Sequence, residues 1–125
     1  MILITILSTG KGTWNQVASL LSSRKWDKVI IITDDFGKEH FSSNSDAVKV
    51  ELISVNFAKS PKDLSDEIFA LINGRINDFS IGVNMYSGNG KTHMALFAAL
   101  IRLGVGIELV YSENNKINIL DSGRL

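Results

Sequence analysis

The sequence predicts a single α/β domain of Rossmann-like type, a mostly parallel sheet with helices on both faces. Three observations carry that expectation. Short β-branched runs alternate with segments of helical period, the pattern that puts a helix in the crossover between parallel strands. The first run, residues 2–7, is apolar without alternation, as a strand buried on both faces should be. The chain has 125 residues, 45% of them hydrophobic, enough for one core and too few for a nucleotide domain plus a separate substrate domain.

The first strand ends at Ser8. Thr13 and Gln16 have the Thr-x-x-Gln spacing of a capping box, and Trp14, Val17, Ala18 and Leu21 fall on one face of the helix that follows. Residues 28–33, KVIIIT, form a second strand closed by Asp34, Asp35, Phe36 and Gly37, and residues 38–47 read as polar loop or a weak helix. Residues 48–55 alternate well enough for a strand with one exposed face at the sheet edge. Ser60-Pro61 starts a helix: serine caps, and proline at the first helical position gives up an amide hydrogen that has no partner there. Leu64, Ile68, Leu71 and Ile72 line its inner face, and Gly74 stops it. Residues 79–86 are a fourth strand.

A last helix over residues 91–103 ends at Gly104. From Met94 onward Arg102 is its only charge, so it is either central or lies at a subunit interface. Residues 107–111 and 116–120 flank Glu113, Asn114 and Asn115 as a closing hairpin. Right-handed crossovers then give the strand order 3-2-1-4-5, with an antiparallel sixth strand at the edge.

Thirteen Lys and Arg balance thirteen Asp and Glu, so no global positive charge exists to hold a long nucleic acid, and a phosphate-bearing partner must be held locally. The chain has no cysteine, residues 2–7 are too short for a secretory core, and no apolar run approaches the roughly 18 residues of a membrane span. The expectation is a cytoplasmic protein with no membrane partner.

In an open α/β sheet the ligand crevice lies outside the carboxyl ends of the strands where the winding reverses, here between the first and fourth strands. Two loops leave those ends: STGKGTWN, residues 8–15, and NMYSGNGKTH, residues 84–93. Each contains glycine and lysine and opens a helix, so two helix amino termini offer N–H groups to an anion. The candidate ligand-binding residues are Ser8, Thr9, Gly10, Lys11, Gly12 and Asn15 on the first loop, and Asn84, Ser87, Gly88, Gly90, Lys91 and Thr92 on the second. No metal and no cofactor is implied. Plainer readings stand beside each: glycines serving backbone angles, His93 as a solvated first-turn residue, Asp34 and Asp35 capping a turn, Trp14 and Trp26 packing in the core or at its rim.

Three short motifs bear on the ligand. Gly90-Lys91-Thr92 ends like a G-x-x-x-x-G-K-S/T phosphate loop, but Met85 stands where that loop needs glycine. The stretch from Gly10 to Asn15 fits G-x-G-x-x-G except at Asn15, and Asp34 follows about twenty residues on, where a ribose-binding acid belongs. Asp35-Phe36-Gly37 spells a kinase triplet without the other kinase parts.

On these residues the chain resembles the CRISPR-associated Rossmann fold (CARF) domains, dimeric sensors of cyclic oligoadenylates, and it is similar to small archaeal Rossmann-like proteins of unknown function. The resemblance spans nearly the whole order of elements and is specific at two turns. One is Ser8-Thr9-Gly10. In the other, Asn84, Ser87, Gly88, Gly90, Lys91 and Met94 lie on the family's Asn/Asp-x-Thr/Ser-Gly-Gly-Thr-Lys turn and the apolar helix behind it, with Met85, Tyr86 and Asn89 adding length. The resemblance implies a homodimer that gathers two copies of each turn around a ring of phosphates. Because some members cleave their ring, it also implies a metal-independent phosphodiesterase. In that reaction Lys91 stabilises charge, His93 moves a proton, and Ser87 with Ser8 and Thr9 orients the phosphate. In this reading Asp34 lies one strand away from the crevice. Two other readings remain open: a dinucleotide (NAD or FAD) domain, favoured by Gly10, Gly12 and Asp34 and disfavoured by length, and a non-enzymatic interaction domain whose last helix binds a partner.

Overall fold

The computed structural model describes residues 1–8, 11–23, 26–41 and 48–120, without the side chains of residues 11–13 and 23. Strands β1 (Ile2–Ile6), β2 (Lys28–Thr33), β3 (Val50–Ser54), β4 (Ser80–Asn84) and β5 (Gly106–Glu113) run parallel, and β6 (Lys116–Ile119) returns antiparallel beside β5. The sheet order is β3-β2-β1-β4-β5-β6, the Rossmann-like winding expected from the sequence.

Every residue of β1 is buried, because its neighbours are β2 and β4 and both of its faces are covered. Side chains of a strand alternate between faces, so Ile2, Ile4 and Ile6 join Ile30, Ile32, Ile81 and Val83 beneath α3 (Pro61–Ile72) and α4 (Gly90–Leu103). Leu3 and Leu7, with Val29 and Ile31, face Val17, Leu20 and Leu21 of α1 (Lys11–Ser23), and Trp26 closes that layer. Each such large side chain contributes about 1.5–3 kcal/mol on removal from water. The two-sided core explains why β1 and β2 show no alternation in sequence.

The local signals hold at α3 and at the end of α4. The Ser60 hydroxyl accepts from the Asp63 amide, with Pro61 at the first helical position. Gly104 ends α4 in the left-handed region, φ 74°. Asn114 and Asn115, with φ of 53° and 59°, make the tight β5–β6 turn, two left-handed residues in succession as a primed turn requires.

Three expectations need correction. Asp35 to His40 is a short helix, α2, begun by Asp34, whose carboxylate accepts from the Gly37 amide at 2.9 Å. Thr13 and Gln16 do not form a capping box, since α1 already starts at Lys11. The Gln16 amide instead brackets the β5 backbone, accepting from the Ser112 amide at 2.7 Å and donating to its carbonyl at 3.1 Å. Ala18 is exposed, and Leu20 takes its expected place in the core. Among the described residues no helix is long and apolar enough to cross a membrane.

Candidate functional site: the crevice at the ends of β1 and β4

β1 and β4 pair with Thr5 opposite Asn84, which brings the two turns leaving these strands side by side. Ser87, 1% exposed, clasps them. Its hydroxyl oxygen accepts from the Ser8 amide at 2.6 Å, and its hydrogen goes to the Ser8 hydroxyl at 2.5 Å. A buried hydroxyl must find such partners. By accepting that bond, Ser8 keeps its own hydrogen for a further acceptor, in a position where it lines a cavity of about 250 Å³. Ser87 therefore stands behind Ser8 and polarises it.

Asn84 lies one layer below. Its carbonyl oxygen accepts from the Thr5 hydroxyl at 3.2 Å and the Tyr86 amide at 3.4 Å, and its amide nitrogen donates to the Val110 carbonyl at 2.9 Å. With 1% exposure it shapes the turn from beneath.

The cavity is lined by Ser8, Asp34, Phe57, Gly88, Asn89 and Thr92. Asn89 caps α4, its side-chain oxygen accepting from both the amide and the hydroxyl of Thr92 at 3.0 Å. The positive end of the α4 dipole thus opens on this crevice. Gly88 adopts φ 98°, where a side chain would be strained, and a Cβ added at Gly90 would meet nothing within 4 Å. Asp34 forms part of the wall, so it is not one strand removed from the crevice as the sequence reading had it. β2 pairs directly with β1, and Leu7 and Thr33 are hydrogen-bonded at their ends, which carries Asp34 to the rim.

Successive residues of a helix point about 100° apart, and the first turn of α4 divides accordingly. Thr92 faces the crevice. Lys91 reaches the other way and donates from Nζ to the Lys59 carbonyl at 2.9 Å, pinning the loop between β3 and α3 that carries Phe57. His93 turns to the β5 side, with Nε2 at 2.9 Å from the Ser87 carbonyl. A carbonyl only accepts, so Nε2 carries the hydrogen, and in the neutral ring Nδ1 is left as an acceptor. Lys91 and His93 are therefore neighbours of the crevice and do not line it.

On the first loop, Lys11 and Gly12 fall in the opening turn of α1, Asn15 is exposed on that helix, and Thr9 and Gly10 lie outside the described residues. Trp14 ties α1 to the end of the first strand by donating from its indole to the Ser8 carbonyl at 2.7 Å.

Two further cavities adjoin. One, of about 610 Å³, shares Asp34 and Phe57 with the crevice and adds Asp35, Phe36, Ser54 and Glu67. The other, of about 220 Å³, lies across the 85–89 turn and is walled by Tyr86, Tyr111, Val83, Leu109, Leu120 and His93. Sequence reasoning missed Phe57, Tyr86 and Tyr111 as site neighbours. Only Tyr86 carried a signal, its place inside the second loop. No family model matches this sequence, and no curated protein matches it.

Proposed function

We propose that this chain is a nucleotide-binding module whose phosphate-bearing ligand sits over the crevice at the carboxyl ends of β1 and β4. The observation that carries the reading is the convergence of the Ser8 and 87–92 turns on one cavity at the winding reversal, with the amino terminus of α4 opening into it. A cyclic oligoadenylate is the ligand class favoured by the resemblance to CARF domains, and a cytoplasmic homodimer is the matching assembly. Support for the dimer comes from α4, whose outward face is apolar: Met94 and Ile101 are 67% and 72% exposed, with Ala98 between them.

Asp34 on the crevice wall favours a second reading, a dinucleotide whose ribose hydroxyls the carboxylate accepts. A thermal-shift screen of cyclic oligoadenylates, NAD, FAD and ATP separates the two. A ligand present at about 100 times its dissociation constant stabilises the native state by about 2.7 kcal/mol. The leading reading expects that shift from the cyclic oligoadenylate alone. A shift from NAD that Asp34→Ala abolishes establishes the second reading, and no shift from any of them removes both.

Turnover follows from the same reading as a metal-independent step, the ring's own 2′-hydroxyl attacking the adjacent phosphorus and expelling the 5′-oxygen as a cyclic phosphate forms. Oriented hydrogen bonds from Ser8 and the turn amides would hold the phosphate for in-line attack. Cleavage in EDTA that leaves cyclic-phosphate ends is the expected product pattern. A ring bound tightly and left intact over hours makes the protein a sensor or sink.

A further inference from the structure

We infer that the cavity on the β5 side of the 85–89 turn is a slot for a planar heteroaromatic ring, the base of the nucleotide whose phosphate lies over the crevice. The inference rests on the nucleotide reading and adds a second subsite to it. The turn has opposite chemistry on its two sides: Ser8, Asn89 and Thr92 line the crevice, whereas Val83, Leu109 and Leu120 line the slot, which has no Lys, Arg, Asp or Glu among its lining residues. A nucleotide has the same division, an anionic phosphate at one end and a flat, weakly hydrated base at the other.

The walls suit such a ring. Tyr86 and Tyr111 lie parallel within 6°, with ring centroids 6.5 Å apart, so the turn after β4 and the neighbouring strand β5 present aligned aromatic faces. Tyr86 is 60% exposed, leaving much of its surface for a partner. Stacking on an aromatic side chain holds any base, since every base has a π-face. The slot's volume, about 220 Å³, admits one such ring and not a bulky polymer. His93 joins the subsites: Nε2 is committed to the Ser87 carbonyl, and Nδ1 in the neutral ring is an acceptor for an exocyclic amine.

The larger cavity beyond Asp34 is the competing place for a base, and two features count against it. Beyond Asp34, which it shares with the crevice, its wall adds the carboxylates of Asp35 and Glu67, so a base there would lie among charged groups instead of in an apolar slot. Its exposed aromatic, Phe36, is already stacked on His40 with centroids 4.1 Å apart.

Tyr86 and Tyr111 are the only two tyrosines in the chain, so 3-fluorotyrosine labelling places both fluorine reporters in the slot. Tyr86→Phe and Tyr111→Phe assign the two signals. The labelled protein is titrated separately with adenosine 5′-monophosphate, ribose 5-phosphate and adenosine, while the amide signals of Ser8, Gly88 and Asn89 are followed. Adenosine monophosphate is expected to move both fluorine signals and the amides, and ribose 5-phosphate the amides alone. Tyr86→Ala should weaken the nucleotide roughly tenfold or more and leave the sugar phosphate unchanged. If adenosine monophosphate moves the amides while both fluorine signals stay still, the base goes elsewhere and the slot is refuted with the nucleotide reading intact. Should adenosine itself move the fluorine signals while neither phosphate ester moves the amides, the slot stands and the nucleotide reading fails. Silence of every signal at millimolar ligand overturns both.

Discussion

α3 and α4 lie side by side on one face of the sheet and bury the same kind of side chain inward, yet their outer faces differ. α3 turns Lys62, Asp63 and Asp66 to solvent, with Lys62 and Asp66 paired at 3.3 Å along the helix. α4 turns out Met94, Ala98 and Ile101, and its one charge past the first turn, Arg102, is held by Asp66 at 2.9 Å and lies 4.0 Å above the Phe69 ring. Packing against the sheet explains both inner faces and neither outer one. An apolar stripe on the helix that opens the crevice, beside a helix with an ordinary charged exterior, is what supports the proposed dimer, in which a second copy of this chain would place another crevice on that side.

The most damaging substitution for that contrast is Ile101→Glu. Ile101 is exposed, so the monomer should fold with nearly unchanged melting temperature, while a charge set into an apolar interface should weaken association by at least about 100-fold. Sedimentation or light scattering at micromolar protein reads the outcome. A wild type that is already monomeric there removes the shared-site model, and an Ile101→Glu chain that remains dimeric moves the interface off α4.

A smaller effect sharpens the α3 side. Arg75, just past that helix, donates to the Glu51 carboxylate of β3 at 2.9 Å, anchoring the helix end to the sheet edge by charge. Burial works to raise the Glu51 pKa, but the hydrogen bond from Arg75 and the charges of Lys28, Arg75 and Lys49 outweigh it and hold it below the usual glutamate value. A group held low stabilises the fold above its unfolded pKa, and that contribution is lost as pH falls through the folded value. The melting-temperature gap between wild type and Arg75→Ala should therefore be full at neutral pH and shrink below about pH 4. A gap that is flat with pH would mean that Arg75 acts through packing alone.

What the sequence made legible follows the range of each interaction. The start of α3 at Ser60-Pro61, the stop at Gly104 and the two-sided burial of β1 are local signals, and the strand order follows from handedness once the elements are placed. α2 was read only as polar loop or a weak helix from residue 38, past its true start, because Gly37 is a poor helix former. It is there because a Cβ at that position would come within 1.9 Å of the Thr33 hydroxyl, a contact made by tertiary packing. Gln16 misled for the same reason, its partner Ser112 being 96 residues away. The crevice itself was legible from topology. Ser8, Gly88 and Thr92 line it as the sequence suggested, but the displacement of two others was not legible, because Lys91 is drawn off by the Lys59 carbonyl and His93 by the Ser87 carbonyl, and neither partner is visible in a motif.

Titration calorimetry of a cyclic oligoadenylate into the wild type reads the shared crevice most directly, since it counts sites as well as affinity. A ring held between two copies of the Ser8 and 87–92 turns should bind at one ring per two chains, and Ile101→Glu should lose that stoichiometry with the dimer. One ring per chain, undisturbed by Ile101→Glu, or no heat at all at concentrations where NAD binds, would contradict it.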